Sequence, residues 1–163
     1  MKHLRCCVAV VCLLAFTTPG MAQMTLGQAQ KMAATQPGSA TGWYAVGALR
    51  WAEAYRPIME AKKSGDAASL AALKHKLAPG LADGHKALAR AIFIDPNFAD
   101  AMLYDNLLFR LDAEFASGEA EKQPLLAQAD KQLQKAIKLT RSGKATVRDP
   151  GLPPPPPPPP PKK

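Results

Sequence analysis

Apolar residues in this chain recur at the three- and four-residue spacings of a helix. No stretch alternates apolar and polar with the period of two that marks a half-buried strand. Alanine and leucine dominate the middle of the chain and β-branched residues are few, a composition that favours helix. Proline and glycine punctuate the pattern at Pro37-Gly38, Ser64-Gly65, Pro79-Gly80, Asp95-Pro96-Asn97, Ser117-Gly118 and Ser142-Gly143. The intervening segments predict helices over 25–35, 40–61, 66–77, 81–94, 98–116 and 122–141, an all-α fold of about five to six helices.

Local signals sharpen some of these. In 81–94 the apolar stripe is Leu81, Leu88, Ala91 and Ile92, with Gly84 and His85 on the same face. Asn97, with Asp100 three residues on, is the expected N-cap of 98–116. Pro124 is expected in the first turn of the last helix, where a missing N–H costs nothing. That helix carries the stripe Leu125, Leu126, Ala129, Leu133, Ala136 and Ile137, and ends in cations that suit its dipole.

The two ends differ in kind from the middle. Lys2 and Arg5 precede a short apolar run from Val8 to Phe16, followed by Gly20-Met21-Ala22, the pattern of a secretory signal peptide over 1–22. The run falls well short of the ~20 residues of a membrane span. Cys12 lies inside the run behind a poor lipobox, so lipidation is not expected. All three cysteines, Cys6, Cys7 and Cys12, fall in this segment. The mature chain therefore has no disulfide, thiolate ligand or cysteine nucleophile. Loss of Lys2 and Arg5 lowers the formal charge from +8 to +6. A periplasmic or secreted, mildly basic protein follows, with no nucleic acid partner.

At the other end, residues 142–163 contain the uninterrupted prolines Pro153 to Pro161 before Lys162 and Lys163. Such a run adopts polyproline II, roughly 28 Å long at ~3.1 Å per residue. Two uses are open, a stiff solvated spacer or a ligand for an aromatic groove on another protein, and the spacer is preferred. The expected organisation is thus a leader at 1–22, a helical domain at 23–141 with an insert at 56–80, and a disordered tail at 142–163.

Within the domain, Gln30–Arg56 superposes on Ala89–Phe115 in one register. Pro37 falls on Pro96, Ala40 on Ala99, Leu49 on Leu108 and Ala54 on Ala113. Trp43, Val46 and Gly47 resemble the first-helix signature of the tetratricopeptide (TPR) repeat. Gly84, Leu88, Ala91, Ile92 and Pro96 resemble its second helix, a pattern repeated by Ala129, Leu133, Ala136 and Ile137. The repeat spacing exceeds the ~34-residue TPR period by roughly 25 residues in the first unit. The segment Tyr55 to Gly80 is therefore expected to lengthen the first helix, kink it at Pro57 and add an extra helix at 66–77. Asp105 and Arg50 stand where that pattern expects an apolar residue and an aromatic. More narrowly, Trp51-x-x-x-Tyr55-Arg56-Pro57, Ala87-Leu88-x-x-Ala91-Ile92-x-x-Asp95-Pro96-Asn97 and Ala101-Met102-x-Tyr104-x-Asn106-Leu107-Leu108-x-Arg110 resemble exported bacterial TPR proteins with a stretched first unit. The resemblance implies a short array of antiparallel helix pairs and an export route, and it carries no reaction.

No nucleophile elbow, phosphate-binding glycine loop or zinc-ligand spacing is present, so no enzyme activity, metal or cofactor is expected. His75 and His85 point about 280° apart around a helix and flank a proline-glycine pair, so local spacing cannot join them. His85 is expected to pack on a helix face. Asp105 and Asp112 share one face of 98–116, where Asn106 and Arg110 are expected to satisfy them in a polar network. In TPR arrays the first helices line a concave face. By that resemblance Tyr44, Trp51, Tyr104, Asn106 and Arg110 are candidate contacts for a protein or peptide partner, and Trp43 is assigned to the core. Lys131, Lys135, Lys138 and Arg141 form one helical face, a candidate for anionic polymer or lipid and so for envelope association. So small an array also admits homo-oligomerisation.

Overall fold

The computed structural model describes residues 24–146 and Leu152. The expected leader at 1–22 and the prolines Pro153 to Pro161 lie outside the described residues. Among the described residues the chain is all-helical: α1 Leu26–Thr35, α2 Ala40–Ser64, α3 Ala67–Ile94, α4 Ala99–Glu114 and α5 Glu119–Arg141.

Two of these helices, α1 and α3, start at a side-chain cap. Thr25 caps α1 in a capping box, its hydroxyl accepting from Gln28 N while Gln28 Oε1 accepts from Thr25 N at 2.8 Å. Asp66 caps α3 by accepting from Ala68 N and Ser69 N at 3.0 and 3.1 Å, and the Ser69 hydroxyl, donating to its other oxygen, joins these bonds in holding its carboxyl below the usual range. Gly65, at φ +70°, closes α2 in the left-handed region that glycine enters without a Cβ clash. The expected cap at Asn97 is not made. Phe98 holds the N-cap position of α4, and Asn97 N instead donates to Asp95 Oδ1 at 2.9 Å in the preceding turn. The last helix begins at Glu119, three residues earlier than expected, which puts Pro124 within the helix rather than in its first turn.

The main correction concerns the middle of the chain. The expected helices 66–77 and 81–94 are one helix, α3, of 28 residues, which runs through Pro79. The reason is tertiary. Leu70, Leu73, Leu77, Leu81, Gly84 and Leu88 form one stripe whose leucines pack into a single core on both sides of the proline. The bond that Pro79 cannot donate lies on an exposed face, where the freed carbonyl is open to solvent. α2 likewise continues through Pro57 to Ser64. The insert is therefore no extra helix but the far end of a long α2–α3 hairpin. Its tip is tied to the end of α4 by Lys62–Glu114 at 2.6 Å and by Lys74 Nζ donating to Phe115 O at 3.0 Å.

Consecutive helices pack on one another, and α2 also packs on α4. Glycine sets how closely they cross. A Cβ on Gly42 would sit 2.7 Å from the backbone nitrogen of Ala33 in α1, and one on Gly84 would sit 2.9 Å from Leu108 Cδ1 in α4. A Cβ on Gly47 would strike the Leu88 side chain of α3. Tyr44, Ile58, Leu81, Leu88 and Leu108 are the largest fully buried side chains.

After α5, Gly143 turns the chain at φ +67°, and Thr146 N donates to Asn97 O at 2.9 Å. Leu152, 4% exposed, belongs to the same core cluster as Tyr44, Phe98 and Tyr104. Leu152 lies within the stretch expected to be a solvated tail, and its burial follows because an apolar side chain gains by leaving water.

Candidate functional site

Positions 44, 51 and 55 of α2 share a helix face at spacings of seven and four, and that face meets α4. The result is a continuous row of rings. Phe98 stacks on Tyr44 with centroids 4.8 Å apart, and Tyr44 meets Tyr104 edge-on at 5.6 Å. Tyr104 meets Trp51 edge-on at 5.6 Å, and Trp51 stacks on Tyr55 at 4.8 Å. Offset and edge-to-face pairs of this kind add to the burial that aligns them. The buried end of the row is inside the core, and the other end surfaces at Tyr55, 45% exposed.

The expected partner-contact residues divide accordingly. Tyr44, Trp51 and Tyr104 come together, but Tyr44 and Tyr104 are buried and serve as the wall of the row rather than its open surface. Asn106 is also buried and turns to α5, its Nδ2 donating to Ala129 O at 2.9 Å. Arg110 donates to Asn106 Oδ1 at 3.3 Å and pairs with Asp130 at 2.7 Å. Asn106 and Arg110 therefore cross-link α4 to α5 and stand apart from the ring row, because they occupy a different face of α4. Tyr55 and Phe98 complete the row and were absent from the sequence candidates. The spacing of 44, 51 and 55 was readable, whereas the contribution of Phe98 required the fold.

A second cluster lies between α3, α4 and α5. His85 bridges the two carboxylates that share a face of α4, with Nδ1 2.6 Å from Asp105 Oδ1 and Nε2 3.0 Å from Asp112 Oδ2. Gln132 Nε2 donates to the other Asp105 oxygen at 2.6 Å, and the His85 ring lies 4.2 Å from that of Phe109. Asp105, 5% exposed, is thus satisfied by His85 and Gln132, not by Asn106 and Arg110 as expected. Burial alone would lower the His85 pKa. The hydrogen bonds and charges of Asp105 and Asp112 outweigh it and raise the value to about 9, so the ring is an imidazolium at neutral pH. With both ring nitrogens engaged, the arrangement is that of a structural clamp. Among the described residues no group of three or more His, Cys, Asp or Glu is placed to hold a metal ion. His75 is exposed on the distal part of α3.

Lys131, Lys135, Lys138 and Arg141 are all exposed on α5, and none forms an ion pair among the described residues. Ile137, Lys138 and Arg141 border a shallow depression of about 360 Å³ beside them. A larger hollow of about 490 Å³ lies between α1, α2 and α3, floored by Ala33, Trp43, Val46 and Ala87 and edged by Lys86 and Arg90. Trp43 is half-buried there, its Nε1 donating to Pro37 O at 3.1 Å. No helix among the described residues is long and apolar enough to cross a membrane.

Comparison of the chain with protein-family models, curated proteins and solved structures finds no match.

Proposed function

We propose that this chain is an exported TPR-like adaptor that holds a protein or peptide segment against the ring row of α2 and α4. The observation that carries the reading is the row itself, which opens at the stacked pair Trp51–Tyr55. Rigid aromatic side chains supply contact area with little entropy to lose on binding. The TPR reading is supported by the packing order: α2 with α3, α4 with α5, and the two first helices α2 and α4 side by side. Small residues at the crossings, Gly47 and Gly84, suit that register. Both ring nitrogens of His85 are engaged by Asp105 and Asp112, which supports a structural role for this cluster and a binding role for the protein. Export follows from the leader pattern of 1–22.

The test uses the mature chain, residues 23–163, carrying a photo-crosslinking amino acid at position 59 beside the row. A partner adduct from cell envelope is expected, and it should be lost on Tyr55→Asp with unchanged helicity. Equal adduct yield with and without the Tyr55→Asp change refutes the site.

A second reading rests on the unpaired cations of α5, which suit an anionic polymer or lipid surface. Retention on anionic vesicles at low salt and release at ~0.5 M, where screening is nearly complete beyond a few ångströms, would favour it.

A further inference from the structure

Deepening the reading just given, and resting on it for the site alone, we infer that the open end of the ring row, Trp51 and Tyr55, is covered in the resting protein by this chain's own polyproline segment, Pro153–Pro161. The chain arrives at the right place. Thr146 N is bonded to Asn97 O, one residue from Phe98 at the head of the row. Leu152, 4% exposed, is set in the same core cluster as Phe98, Tyr44 and Tyr104, and Trp51 packs against that cluster. The prolines begin at the next residue.

Their reach suits the row. Tyr44 and Tyr104 are buried, and the open end at Trp51 and Tyr55 lies roughly 10–16 Å of helix beyond Tyr44 at 1.5 Å per residue. The prolines extend roughly 28 Å as polyproline II. This conformation has three residues per turn and no internal hydrogen bonds, so it offers regularly spaced rings to aromatic faces and free carbonyls to donors. Trp51 presents both features. Its face is stacked on only one side by Tyr55, and its indole N–H, unlike that of Trp43, meets no acceptor among the described residues. The segment loses little entropy on docking because it is already stiff, and its attachment at a buried leucine gives an effective concentration on the order of millimolar or more. The tail is therefore an internal ligand, and an external partner must displace it or present a stronger segment of the same chemistry.

The test reads Trp51 in the mature chain with Trp43→Phe, which leaves one indole. Two versions are compared, one with native prolines and one with residues 153–161 replaced by glycine and serine. Replacement is expected to shift Trp51 emission to the red and increase its quenching by acrylamide. A nonaproline peptide added in trans should reverse both changes, and a glycine-serine peptide should reverse neither. A second version, Leu152→Asp, frees the anchor and should give the same shift while keeping all prolines. Unchanged emission and quenching in both versions, with unchanged far-UV circular dichroism, overturns the inference. Protection that falls on dilution would identify the tail of a second copy as the occupant and overturn it as well. The two readings fail separately. Unchanged quenching with Tyr55-dependent adduct formation removes the tail and leaves the adaptor. Clear protection with no adduct, even after the prolines are replaced, removes the adaptor and leaves the tail.

Discussion

The His85 clamp makes the folded state sensitive to alkali, and the size of the effect follows from its geometry. The imidazole side chain is 20% exposed and lies between Asp105 and Asp112, and its pKa rises from 6.5 to about 9 on folding. One unit corresponds to about 1.4 kcal/mol, so the ceiling is about 3 kcal/mol, and partial exposure brings it toward 2. Because the folded value is raised, this stability is fully present below pH 6.5 and is lost as pH rises through about 9. The perturbation is His85→Gln, which keeps a donor but removes the titration. Urea unfolding followed by circular dichroism at pH 6, 7.5, 9 and 10 supplies the assay, with stability taken from the midpoint at constant slope. The parent should lose about 2 kcal/mol between pH 6.5 and 10 relative to the variant. The variant should itself be about 2–3 kcal/mol weaker at pH 6, since it leaves a buried carboxylate without its cation. For a domain with about a tenth of a kilocalorie per mole per residue in hand, either change is easily measured. Parallel stability profiles for the two proteins across this window would refute the clamp.

Three further outcomes are expected. Gly42→Ala should lower stability by about 1–2 kcal/mol, because its Cβ meets backbone of α1 that cannot rotate away, whereas Gly27→Ala, open on all sides, should leave stability equal or raise it by about 0.5 kcal/mol. Thermal unfolding of the two variants distinguishes crossing geometry from general helix propensity. Asn106→Ala should cost about 1–2 kcal/mol by removing the amide between Ala129 and Arg110, yet leave the Tyr55-dependent adduct intact, since Asn106 faces α5. Reversing Lys131, Lys135 and Lys138 to glutamate should abolish vesicle retention at low salt without changing stability by more than about 1 kcal/mol, as the three are exposed and form no ion pair among the described residues.

Helical character was legible because apolar spacing and alanine-leucine content act within a single helix turn. The same holds for the stop at Ser64-Gly65, where Gly65 takes a positive φ that its neighbours would resist. Pro79-Gly80 carried an equally strong local signal and the opposite outcome. One absent hydrogen bond on an exposed face weighs less than a stripe of five leucines from Leu70 to Leu88 packed against the core. The stripe was in the sequence, but its priority over the proline depended on α2 lying alongside. The site divides in the same way. The spacing of Tyr44, Trp51 and Tyr55 and the shared face of Asp105 and Asp112 are periodicities of one helix, which the sequence determines unaided. Which face turns inward is decided between helices. Only the packing of α2 on α4 joined Phe98 and Tyr104 to the row, sent Asn106 to α5, and inserted His85 between two carboxylates more than nineteen residues away in the chain. Contacts of that range depend on how whole helices fit together, and no local pattern records them.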